Sequence, residues 1–123
     1  MYKWQKRNII FHHSNKIFYL STMVKHLVLW KMKPVADERT GKENAEVLVQ
    51  RLNALKSVIT FAVSIEAGIN FNSTAAAYDV GLYSAFKTKE DLDTYQKHPA
   101  HVKIAEWVNS GIAESRVVAD FEV

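Results

Sequence analysis

Between Val24 and Lys33 the chain reads VKHLVLWKMK, a strict alternation that stops at Pro34. On an extended strand, where side chains take turns on two faces, Val24, His26, Val28, Trp30 and Met32 point one way. Lys25, Leu27, Leu29, Lys31 and Lys33 point the other. This second face is not fully polar, because Leu27 and Leu29 sit between lysines. A sheet face that is apolar at its centre and charged at its edges points to burial against a partner sheet. The run therefore asks for cover on both sides, which a lone solvated hairpin does not provide.

The remaining periodicities say what supplies that cover. In ENAEVLVQRLNALKSVI, Leu48, Leu52, Leu55 and Ile59 recur at helical spacing and predict a helix that packs on the sheet. The run FAVSIEAGINF returns to alternation, with Phe61, Val63, Ile65, Ala67 and Ile69 on one face, and predicts a second strand. YDVGLYSAF, from Tyr78 to Phe86, predicts a third strand antiparallel to the second. Thr88 is placed as a helix N-cap, with Asp91 positioned to reach back as in a capping box. A further helix starts at Pro99, where the missing N–H has no cost, and ends near Gly111. SRVVADFEV, from Ser115, alternates again and closes the sheet, with Arg116, Val118, Asp120 and Glu122 sharing one face. The order is β-α-β-β-α-β with the second helix broken in two. It defines an α+β fold, a ferredoxin-like split βαβ sandwich with its helices on one sheet face. The other face is apolar, so the expected partner is the chain itself, in a homodimer packed sheet to sheet.

At 123 residues and 48% hydrophobic content, the chain suits one domain. It has no cysteine, which excludes disulfides, thiolate zinc sites and cysteine nucleophiles. A cytoplasmic location is the expectation. The net charge of +3 misleads, because Lys3, Lys6, Arg7 and Lys16 fall in the first 22 residues, which hold no acid. The rest carries 12 basic against 13 acidic residues, a net charge of −1, so neither nucleic acid nor membrane is an expected partner. The leading segment breaks its apolar runs at His12, His13, Ser14, Asn15 and Lys16 and forms no membrane span or signal core. We divide the chain into a basic extension, residues 1–22, and a domain, residues 23–123. The extension reads as an upstream start choice, with an amphipathic arm or an added strand as alternatives.

The segment YQKHPAHVKIAEW concentrates the polar chemistry. His98 stands at the N-cap ahead of Pro99, where a side chain can bond free backbone N–H groups. His101 sits at the third helical position, either packed or facing a pocket. Tyr95 is a candidate pocket residue or a core residue with a satisfied hydroxyl. His26, on the first strand, is either pocket lining or a buried histidine bonded to a carbonyl. Two histidines three apart with His26 as a third ligand make a zinc site conceivable, but there is no HExxH pattern and a cap histidine points away. Nothing selects for haem, and GINFNSTAAAYDVG lacks the spacing of a phosphate loop.

VKHLVLWKMK, the GIN after the second strand, DVGLYSAFKTKEDLDTYQKHPAHVKIAEWV and the closing RVVADFEV together resemble the stress-responsive A/B barrel (Dabb) family, in register from Met23 to Val123. The resemblance implies a dimeric α+β barrel, in which two ferredoxin-like protomers close a barrel from their sheets. It also implies a role in stress response, with no settled activity for most members. A similar plant protein is a polyketide cyclase working by intramolecular aldol condensation. Its catalytic histidine matches His101, its active-site tyrosine Tyr95, and a first-strand histidine His26. A further pocket tyrosine of that enzyme has no clear counterpart, Val47 and Leu48 occupying the region.

The resemblance thus casts His101 as a base that removes a proton from carbon beside a carbonyl, and Tyr95 as the orienting acid. His26 completes the polar lining, His98 joins the binding residues, and Val28, Trp30 and Leu92 form apolar walls. This chemistry needs no metal and no cofactor. Three functions follow as expectations: a dimer that binds a small organic ligand, a cofactor-independent cyclase or lyase, and a non-catalytic stable stress protein.

Overall fold

The computed structural model describes residues 9–13, 16–19 and 22–123. Strands β1 (Ile9–His13) and β2 (Lys16–Tyr19) pair antiparallel with each other in a sheet of their own. The expected extension also covers residues 1–8, 14–15 and 20–21, which lie outside the described residues.

Strand β3 (Val24–Met32) is the alternating run, and its five residues Val24, His26, Val28, Trp30 and Met32 are all buried. Next comes a short hairpin, β4 (Val35–Ala36) and β5 (Arg39–Thr40), in place of the expected loop. Its two turn residues, Asp37 and Glu38, take φ of 53° and 59°, the left-handed pair that a two-residue hairpin needs. Thr40 then caps α1 (Gly41–Ala54) with a reciprocal capping box: Glu43 N–H donates to Thr40 Oγ1 at 3.1 Å and Thr40 N–H to Glu43 Oε1 at 2.9 Å. Gly41 is required here, because a Cβ would sit 2.5 Å from the Lys33 carbonyl oxygen. Leu48 and Leu52 of α1, then Leu55 in a 3₁₀ turn (Leu55–Ser57) and Ile59, form the buried stripe.

Strand β6 (Ser64–Ile69) begins three residues later than the alternation implies. The chain is still turning before it, with Ala62 N–H donating to the Ile59 carbonyl, although Phe61 packs on the core. The Asn53 amide on α1 clips β6 on both sides of Ala67, donating to its carbonyl and accepting its N–H, each at 3.0 Å. Strand β7 (Val80–Phe86) follows. Just before it, Asp79 accepts the Met32 N–H on Oδ2 at 2.6 Å while its own N–H bonds the Trp30 carbonyl.

Thr88 caps α2 (Lys89–Lys97), accepting from Asp91 N–H, but the expected return bond from the Asp91 carboxylate to Thr88 N–H is not formed, so the capping box is only half present. His98 ends that helix and caps α3 (Pro99–Trp107), its Nδ1 accepting from Ala100 N–H at 3.1 Å. A wide π turn (Val108–Ile112), with Gly111 at φ 117°, leads into β8 (Ala113–Glu122).

The main sheet has order β6-β7-β3-β8 and every pairing is antiparallel. This is the ferredoxin-like βαββαβ arrangement, with β3 in the interior, as its two apolar faces require. One face carries α1 to α3 and the hydrophobic core. On the other, Leu29, Val117 and Phe121 are 42%, 45% and 45% exposed, and Leu27, Leu29, Tyr83, Val117 and Ala119 surround a shallow apolar groove. Among the described residues no helix is long and apolar enough to cross a membrane.

Candidate functional site

Under α2 and α3, a cavity of about 310 Å³ opens between the helices and the strands β3, β7 and β8. Its walls are mostly apolar, from Val28, Trp30, Leu82, Ile104, Val108 and Val118 among others, with His26, His101, Gln96, Asn109 and Arg116 as the polar groups.

The helix break aims His101. With His98 as cap and Pro99 opening α3, His101 falls in the first turn, beside the unpaired carbonyls at the end of α2. One of these, on Gln96, lies 3.0 Å from His101 Nδ1. A carbonyl only accepts, so Nδ1 carries the proton and Nε2 holds the free lone pair of the neutral ring. Burial pushes the His101 pKa down, opposed by the bond to Gln96 and reinforced by electrostatic repulsion of its protonated form from His26, Arg116 and His98. The ring is therefore neutral at neutral pH, a base ready to accept a proton.

His26 is fixed in a similar way. Register places it directly opposite Asp120 on β8, and its Nδ1 donates to Asp120 Oδ1 at 2.5 Å. The residue is only 3% exposed and borders the cavity. Tyr95 lies beneath both histidines, its ring centroid 4.6 Å from that of His101, 5.1 Å from Phe86 and 6.1 Å from His26. It is fully buried, its hydroxyl has no hydrogen-bond partner among the described residues, and burial pushes its pKa up to about 12.

Of the residues singled out in the sequence, the structure brings His26, Val28, Trp30 and His101 together on the cavity wall. Tyr95 and Leu92 are core residues behind that wall, and His98 is occupied as the helix cap. Sequence reasoning missed Arg116, Asp120, Asn109 and Gln96. Arg116, Val118 and Asp120 share one face of the closing strand, and pairing that strand with the first places Asp120 opposite His26. That register was the available signal. Gln96 holds His101 through its main chain, for which a sequence carries no side-chain signal.

A four-stranded antiparallel sheet backed by three helices, with a histidine-containing cavity beneath them, defines the class as a ferredoxin-like α+β protein. The sequence profile of the stress responsive A/B barrel domain matches residues 24–123. The chain belongs to that family.

Among relatives, it is 31% identical over 84 residues to a stress-response A/B barrel domain-containing protein of Arabidopsis thaliana, a match that covers 68% of this chain and 30% of that protein. A second Arabidopsis thaliana protein of the same description is 32% identical over 87 residues, covering 69% of this chain and 40% of its own. The chain thus spans between 30% and 40% of the length of the curated relatives it matches. Among solved structures, a dimeric protein of unknown function and ferredoxin-like fold from Bacteroides fragilis is 32% identical, with a TM-score of 0.70 over 82% of this chain and 96% of that one. The hydroxynitrile lyase of Passiflora edulis shares the fold at 14% identity, with a TM-score of 0.69 over 85% of this chain and 95% of its own.

Proposed function

We propose that the protein is a homodimer, joined through the open sheet face, whose cavity holds a small organic molecule and exposes it to His101 as a general base. The observation that carries this reading is the fixed tautomer of His101, with Nδ1–H on the Gln96 carbonyl and a neutral Nε2 on a largely apolar cavity. A neutral imidazole in such a place can take a proton from carbon next to a carbonyl, with no cofactor in the step. The Tyr95 hydroxyl keeps its proton at neutral pH and is the donor for the carbonyl oxygen, provided that ligand entry opens a path to it. The lyase activity of the Passiflora protein and the dimeric state of the Bacteroides one support this reading by analogy of fold and, for the latter, of sequence.

The experiment is exchange of the methyl protons of acetophenone for deuterium, followed by NMR with the full chain in heavy water. His101→Ala is expected to lower the catalysed rate about 100-fold. Equal rates for the two proteins remove the catalytic part of the reading. Acetophenone shifting the Trp30 indole signal in both then leaves ligand binding standing.

A further inference from the structure

Charge is unevenly placed around the cavity. Among the described residues no aspartate or glutamate lines it, while Arg116 does, on β8 directly across from Trp30. Of the acids on β8, Asp120 is bonded to His26, Glu122 lies 3.4 Å from the Lys89 ammonium, and Glu114 borders a different cavity together with Lys31 and Lys33. Arg116 itself makes no ion pair and no side-chain hydrogen bond among the described residues. An arginine keeps its charge at every physiological pH, and its planar fork matches a carboxylate with two parallel hydrogen bonds. The cavity thus presents one permanent cation, the neutral imidazole of His101, the imidazole of His26 with its Asp120 partner, the polar Gln96 and Asn109, and walls of aliphatic and indole carbon.

On the reading that this cavity is a ligand pocket, we infer that Arg116 selects a small organic monocarboxylate, gripping the carboxylate while the apolar body lies along Trp30 and Val28. Charge count separates this class from phosphate esters. A dianionic phosphate would bring a second negative charge to a wall that holds one guanidinium and no lysine among the described residues, whereas a monocarboxylate is neutralised by that group alone. The length of the ligand runs from Arg116 on the strand side towards His101 on the helix side, so the same grip sets which carbon faces Nε2.

The test compares phenylacetate with its neutral isostere phenylacetamide, titrated into the full chain and followed by amide and indole NMR signals. Wild type is expected to bind phenylacetate at least about tenfold more tightly, with the Trp30 indole signal moving. Arg116→Gln is expected to bring the two affinities together, and Arg116→Lys to keep part of the preference because the charge remains. The exposed position of Arg116 keeps both variants folded, which their amide spectra check directly. Equal affinities in wild type, a preference that survives Arg116→Gln, or phenylacetate binding that leaves Trp30 unmoved overturns the carboxylate assignment. If wild type binds neither compound, the ligand-pocket reading falls with it, whereas equal binding of both at Trp30 removes only the role of Arg116.

Discussion

His101 and His26 each give Nδ1–H to a fixed acceptor, a main-chain carbonyl in one case and a carboxylate in the other. For His101 the lowered pKa has a consequence for stability. Between that lowered value and the ordinary 6.5, the unfolded chain binds more protons than the folded one. The contribution of His101 is thus complete above the ordinary value and is lost as pH falls towards the folded one. Urea midpoints measured at about pH 7.5 and about pH 5 should fall less in His101→Gln than in wild type, and an equal fall would contradict the depressed pKa. Tyr95 makes a second residue-scale prediction. Its buried hydroxyl has no partner among the described residues, so Tyr95→Phe should leave stability unchanged or raise it by up to about 1 kcal/mol in denaturant unfolding. A loss of that size would mean that the hydroxyl is hydrogen-bonded in solution.

Elements hold their places through a few local devices. The Thr40–Glu43 box starts α1, and Thr40→Ala should cost about 1 kcal/mol in thermal or urea unfolding. Gly41→Ala should cost about 1–3 kcal/mol, because the added carbon meets the Lys33 carbonyl and the backbone must move. A neutral result at Gly41 would show that the hairpin before α1 yields without strain. These devices also explain what the sequence disclosed and what it concealed. The capping pattern around Thr88, His98 and Pro99 is written in side chains and was legible. The hairpin at Val35–Thr40 was not, since Asp37 and Glu38 lack the glycine or asparagine that usually marks its turn. The start of β6 was displaced because Phe61 and Val63 keep the alternation of a strand while the chain still turns. The site was half legible. His26, Val28 and Trp30 share a face by period, and His101 is open between packing and pocket by position and turns to the pocket only through the family resemblance, whereas Arg116 and Asp120 acquire meaning only once strand register is known.

For the whole molecule, the decisive surface is the sheet face opposite the helices. Leu27, Leu29, Gly81, Tyr83, Val117 and Ala119 edge a groove of about 540 Å³, and Lys25 bonds the Tyr83 hydroxyl at 2.6 Å near its margin. An apolar face of this kind needs cover. Sedimentation should show wild type as a dimer and Leu29→Glu as a monomer, since the new carboxylate would be buried without a partner. A monomeric wild type would remove the homodimer. One edge of the sheet is treated differently: Asn53 closes β6 at Ala67, which discourages strand addition along that strand.

The break between α2 and α3 carries one more implication, for sequence drift. His101 owes its tautomer to a main-chain oxygen, which every amino acid supplies. Position 96 is therefore free to vary without disturbing the proton on Nδ1, whereas inserting or deleting one residue between Gln96 and His101 would turn the imidazole away from that oxygen. Within this fold the site is guarded by the count of residues around a proline, and relatives can exchange side chains there while keeping a base aimed at the same spot.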